Sequence, residues 1–251
     1  MVAWYLVLAF ALPALGRVTP RASATPQLPE TGGCEELPSP QESDKVSLKY
    51  ITLGFGVQNY TCKENEPKAK ATGALAVLYD VTTLHPGQGP NALSSDEFNA
   101  LTKKVLAGAA NPIKPKSMDG CDSDTKKSSA ATSAAGAGPF EFPPAAELAV
   151  KGADLRLKPV GEHFFDSNKV PIFRLNGDKG EIDVAVKKLD DVPSPDKDAV
   201  AWLRLGSKDA AAAGGAKFVY RVLTAGGVSR DCSSAPGDSS VPYTATYWFF
   251  G

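Results

Sequence analysis

Apolar residues recur at every second position in several short stretches, the spacing of strands with a buried face. In residues 53–62 (Leu-Gly-Phe-Gly-Val-Gln-Asn-Tyr-Thr-Cys) the pattern predicts a central strand entered through a glycine-flanked turn at Gly54 and Gly56. Gln58, Tyr60 and Cys62 fall on one face of it, and Val57, Asn59 and Thr61 on the other. Residues 47–62 hold one or two strands. In residues 71–83, Leu75, Val77 and Tyr79 alternate with Ala76, Leu78 and Asp80, so both faces are apolar, as in a strand covered on both sides. Ile182, Val184 and Val186 alternate with Asp183, Ala185 and Lys187, and Phe218, Tyr220 and Val222 with Val219, Arg221 and Leu223. An aromatic strand over 242–250 closes the chain, and shorter strands are expected within 148–165, 170–175 and 200–205. Only one stretch repeats at helical spacing. Ser94-x-x-Glu97 is a capping box, followed by Phe98, Leu101 and Val105, which predicts a helix over about 96–107. Roughly eight to ten short strands with one short helix make an all-β, single-domain β-sandwich or flattened barrel.

Turn chemistry separates these elements. Ala225-Gly226-Gly227 reads as a turn, and residues 232–241 as a polar loop. Residues 108–144 form a long insertion of Pro-Lys repeats followed by Ser/Ala/Gly-rich low complexity. Such a composition buries too little apolar surface to order itself and predicts disorder. Residues 25–45, rich in proline and serine, read as an extended arm, and residues 46–251 as the all-β domain.

Composition supports the strand reading. Among 251 residues, 23 glycines and 20 prolines supply many turns, and 43% hydrophobic residues supply a core. Residues 2–16 are apolar apart from Pro13 and are followed by small residues at 14–16 and 22–24. This is a secretory signal over 1–24, with cleavage after Gly16 or Ala24. No second apolar stretch has spanning length, so the expectation is a secreted, extracellular monomer free of the membrane. The formal net charge of −1 comes without a basic patch, which argues against nucleic acid.

Four cysteines, Cys34, Cys62, Cys121 and Cys232, suggest two disulfides with three possible connectivities. Their wide spacing contains no C-x-x-C and argues against structural zinc. Asp119, Asp122 and Asp124 flank Cys121, but no glutamate follows at the position a calcium loop needs. No metal and no cofactor is expected.

Catalytic signals are sparse. His85 and His163 are the only histidines, and no Gly-x-Ser-x-Gly elbow accompanies them. His163 is the better candidate because Glu162 and Asp166 are close in sequence. Carboxylates scatter through loops, so no glycosidase acid/base pair stands out. Gln58, Tyr60 and Trp202 are candidate binding residues. Tyr220, Tyr243, Tyr247 and Trp248 could join a sugar-binding face, although apolar alternation favours the core for most of these rings. Asn59-Tyr60-Thr61 is a glycosylation sequon, with Asn59 expected to face solvent.

Several segments together resemble the secreted fungal and bacterial proteins of domain-of-unknown-function family 3455. They are residues 56–62 (Gly-Val-Gln-Asn-Tyr-Thr-Cys), Pro143-Pro144-Ala145, Glu162-His163-Phe164, Pro171-x-Phe173, 201–205 (Ala-Trp-Leu-Arg-Leu), 220–227 and 241–250. The resemblance spans about 45–250 and implies secretion with an uncharacterised activity. Some fungal relatives bear the label malate dehydrogenase. A dinucleotide-binding loop needs Gly-x-Gly-x-x-Gly between a strand and a helix; here the third glycine is missing and strand-like sequence follows. Pairing Cys62 with Cys232 would join two segments of the resemblance, and Cys34 with Cys121 would tie the arm to the insertion. The expected function is non-catalytic binding of a wall glycan, polysaccharide or host surface, with an effector role as one form of it. The alternative is a secreted hydrolase using His163 with a nearby acid.

Overall fold

The computed structural model describes residues 25–113, 142, 146–209, 214–229, 231–232 and 236–251. The signal segment, Cys121 with its flanking aspartates and nearly all of the low-complexity insertion lie outside the described residues.

The strands are β1 (Leu48–Cys62), β2 (Lys70–Asp80), β3 (Leu148–Val150), β4 (Leu155–Leu157), β5 (Pro159–Phe165), β6 (Pro171–Gly177), β7 (Gly180–Val192), β8 (Trp202–Ser207), β9 (Phe218–Gly226) and β10 (Gly237–Phe250). Eight of them close into a barrel in the order β1-β10-β9-β8-β7-β6-β5-β2, while β3 and β4 form a separate ribbon. Every pairing is antiparallel, and each barrel strand lies beside the next one in the chain. The fold is therefore an up-and-down barrel, which leaves no open edge. Among the described residues it has none of the parallel crossovers of a dinucleotide-binding sheet.

Alternation decides which side chains fill the barrel. Tyr50, Ala76, Leu78, Phe173, Val184, Val219, Tyr243, Tyr247 and Phe249 belong to the inner cluster. A second cluster lies against the outer wall, where Ile51, Leu53, Phe55, Val57, Val77, Tyr220, Val222 and Trp248 meet residues from the segment between β2 and β5. That segment contributes α1 (Ser95–Asn99), α2 (Leu101–Gly108) and the β3–β4 ribbon, with Phe98, Leu101, Val105, Leu148 and Leu157 as its contacts. This cover explains why β1 and β10 are apolar on both faces. Among the described residues β7 has no such cover over Glu181, Asp183 and Lys187. It buries Ile182, Val184 and Val186 and exposes Glu181, Asp183 and Lys187.

Several expectations change. Gly54 and Gly56 form no turn; both sit inside a single strand of 15 residues. A Cβ at Gly56 would collide with the Leu75 carbonyl oxygen, and one at Gly54 with the Tyr247 ring. These glycines let a neighbouring backbone and a core ring approach closely. The loop expected over 232–241 already becomes strand at Gly237. The expected helix divides at Ala100, with the capping box intact: Ser94 Oγ accepts from Glu97 N, and the Glu97 carboxylate accepts from Ser94 N at 3.0 Å. The arm packs Leu28 and Leu37 against the outer cluster and is tied by a Tyr220 hydroxyl donating to Pro38 O at 2.7 Å.

Cys62 and Cys232 form a disulfide with Cα atoms 5.4 Å apart, joining the end of β1 to the β9–β10 connection. Cys34 is exposed; its expected partner, Cys121, lies outside the described residues. No described helix is long and apolar enough to cross a membrane.

Candidate functional site, a pocket in the barrel

The barrel end nearest the disulfide receives the C-terminal half of β1, the start of β2, the end of β5 and the start of β6. Inward-facing side chains of these strands meet those of β8, β9 and β10 around a cavity of about 400 Å3. Gln58, His163, Phe165, Phe173, Arg221 and Tyr247 line it.

Register places each of them. His163 on β5 stands opposite Phe173 on β6 and Ala76 on β2. Its ring stacks on Phe173 with centroids 4.1 Å apart and planes 8° from parallel. His163 Nδ1 lies 2.8 Å from Ile172 O, and because a carbonyl only accepts, Nδ1 carries the hydrogen. Burial pushes the His163 pKa down to about 4, so the ring is neutral at pH 7. Gln58 is buried and donates from Nε2 to Gly73 O.

Arg221 on β9 stands opposite Tyr247 on β10 and Leu203 on β8. Its Nε and Nη2 donate to Ala201 O at 3.2 and 2.9 Å. Among the described residues no carboxylate lies within 4.0 Å of the guanidinium. Tyr243 and Tyr247 hydroxyls are 2.9 Å apart. Burial raises the Tyr247 pKa, while the nearby Arg221 charge acts to lower it. Lys169, Lys187, Lys188 and Lys208 complete the lining, with Lys188 Nζ paired to Asp191 at 2.7 Å.

The two acids that drew attention to His163 are turned elsewhere. Glu162 occupies the opposite face of β5, 4.0 Å from Arg174 on the outer wall, and burial raises its pKa. Asp166 Oδ1 accepts from the backbone N–H of Asn168 and Val170 at 2.9 and 2.8 Å, which holds the β5–β6 turn. The described lining contains no Ser, Thr, Cys, Asp or Glu. The pocket therefore offers rings, amide and hydroxyl groups and cations, but no hydroxyl or thiol of Ser, Thr or Cys beside a carboxylate or histidine.

Of the other candidates, Tyr60 donates its hydroxyl to Gly227 O outside the pocket lining. Trp202 is buried in the outer cluster. Asn59 does not face solvent as expected. It is 6% exposed, its Oδ1 accepts from Ser240 Oγ at 2.6 Å, and its Nδ2 is buried without a partner. Asn59 shares the outer face of β1 with Val57, which packs in the outer cluster with Ile113, and Asn111 of the covering segment donates to Gly56 O at 2.8 Å, so the outer cover reaches this part of the strand. Tyr220, Tyr243, Tyr247 and Trp248 are buried and present no exposed sugar-stacking face. His85 packs edge-on against Phe98 and Trp248, outside the barrel.

Arg221 is the site residue that the sequence reading passed over. Its signal was present: a charge at an inward position of an otherwise apolar strand, between Val219 and Leu223.

These features define a class, a small up-and-down β-barrel with a disulfide at one end and a ligand-sized pocket inside it. Within that class the chain belongs to the family described as "Protein of unknown function (DUF3455)", whose model matches residues 42–251. No curated protein and no solved structure matches the chain.

Proposed function

We propose that this chain is a secreted, non-catalytic binding protein that takes its ligand in the barrel pocket. The carrying observation is the pocket itself. At about 400 Å3 it has the volume of small-molecule sites, with ring and aliphatic walls and polar groups that converge on it. The lack of Ser, Thr, Cys, Asp and Glu in its described lining supports binding over hydrolysis, and a neutral His163 without an orienting carboxylate does the same. The apolar leader supports secretion, as does the disulfide, which suits an oxidising compartment. A wall polysaccharide or host surface, the partner expected from the sequence, would have to present a group small enough to enter this pocket.

A ligand screen tests the reading. Sugars, glycan fragments and small organic molecules are titrated into the labelled protein and followed by NMR. Leu203 is half-buried in the lining, and Leu203→Trp would fill the cavity. Ligands that shift pocket resonances and are lost in the folded Leu203→Trp protein support the proposal. Turnover of any substrate that disappears in His163→Ala would overturn its non-catalytic part.

A further inference from the structure

We propose that the pocket takes a small organic carboxylate with an apolar or aromatic body, and that Arg221 holds the carboxylate. The inference rests on the reading of this pocket as the binding site and adds the ligand's chemistry.

The first support is an uncompensated cation. Half-buried Arg221 enters a barrel whose inner cluster is Phe, Tyr, Val, Leu, Ile and Ala, with the neutral polar side chains of Gln58 and His163 beside it. Taking a charge from water costs free energy unless a partner replaces the solvent. The protein supplies the Ala201 carbonyl, which accepts from Nε and Nη2. No described carboxylate reaches the guanidinium; besides Ala201 O it shares a hydrogen bond with the neutral Tyr247 hydroxyl, so no anion offsets its charge, and these contacts do not use all five of its N–H groups. A planar fork with free N–H groups matches a carboxylate bidentately.

The second support is the sign of the surroundings. Lys169, Lys187, Lys188 and Lys208 line the pocket, and among its described residues there is no acid. Asp191 neutralises Lys188 alone. A concave site of low polarity lined by one sign of charge concentrates the field and draws in the opposite sign.

The walls specify the rest of the ligand. Phe165, Phe173, Val186, Leu203 and Leu205 offer apolar surface that a bare inorganic anion would leave unused. His163 narrows the placement. With its hydrogen spent on Ile172 O, the neutral ring offers only the Nε2 lone pair, which repels a carboxylate and accepts a hydroxyl or N–H. The carboxylate therefore seats at Arg221 and the body lies toward the stacked rings of His163 and Phe173.

The test compares benzoate and hexanoate with benzamide and hexanamide, titrated into the full protein by NMR and calorimetry at low salt. Each carboxylate should bind at least about tenfold more tightly than its amide, as expected when a charge-assisted pair is exchanged for a neutral one. Arg221→Gln should remove that preference. Arg221→Lys, which keeps the charge but loses the fork, should weaken benzoate by several-fold and guards against misfolding of the glutamine variant. Equal binding of acid and amide to the wild type would overturn the proposal. So would competition by inorganic phosphate at the same concentration as benzoate, which would mark a bare anion site. Amides that bind and are lost in Leu203→Trp, without a carboxylate preference, would overturn the acid but leave the pocket standing. Benzoate binding that survives Leu203→Trp would overturn the pocket reading as well.

Discussion

His163 occupies a position where a phenylalanine would pack, stacked on Phe173 and inside the barrel. Choosing an imidazole there gives the fold a response to acid. An unfolded histidine titrates near 6.5, whereas the folded His163 is held at about 4 by burial. Between those values the unfolded chain binds a proton that the folded chain refuses. Stability is thus fully present above about pH 6.5 and falls as the pH drops toward 4. The loss at the acid end amounts to about 3 kcal/mol as an upper estimate from the linkage relation. His163→Phe should lose the bond to Ile172 O yet flatten this acid limb. Urea midpoints measured from pH 7 to pH 4 check it, and parallel curves for the two proteins would refute the assignment.

At the scale of the element, β1 shows what its glycines are for. It pairs with β10 on one side and β2 on the other, and is covered both inside and out. Gly56 faces a backbone carbonyl that belongs to the β1–β2 ladder and cannot step aside. Gly54 faces the Tyr247 ring, a side chain with some freedom to turn. Gly56→Ala should therefore cost the most, on the order of 3 kcal/mol or more, and Gly54→Ala about half of that. Chemical denaturation of both variants measures the order, and equal losses would count against a fixed β1–β2 register. The sequence marked this strand by its alternation but misplaced its glycines in a turn. A Gly-x-Gly pair reads alike in a turn and in a strand whose neighbours press close, because the reason for it lies on other strands.

For the whole molecule, the disulfide links two positions that are 170 residues apart in sequence, at the end of the barrel where the pocket lies. A loop that long confers about 5 kcal/mol in the chain-entropy model, an upper figure. Replacing Cys62 and Cys232 together by alanine should lower the thermal midpoint strongly, and addition of a reductant should do the same to the wild type. A protein that melts unchanged under reduction would contradict this. The variant should also relax the pocket, since β1 and the β9–β10 connection shape that end.

The sequence by itself determined the strand-rich class, the helix start at Ser94 and the family. Each is written in local patterns: alternation of apolar residues, a capping box, and short segments in a fixed order. The Cys62–Cys232 pair was legible only through the resemblance, whose segments it joins. Sequence proximity misled where a property depends on which face of a strand a residue occupies. Glu162 and Asp166 adjoin His163 in the chain yet serve the outer wall and a turn, because successive side chains point to opposite sides of a strand. Asn59 was expected to meet water, but the segment that covers the outer face of β1 buries it. Only closure of the barrel decided the site. Arg221, Tyr247, Gln58 and His163 come from four strands far apart in sequence, and register around a closed sheet is what brings them to one cavity.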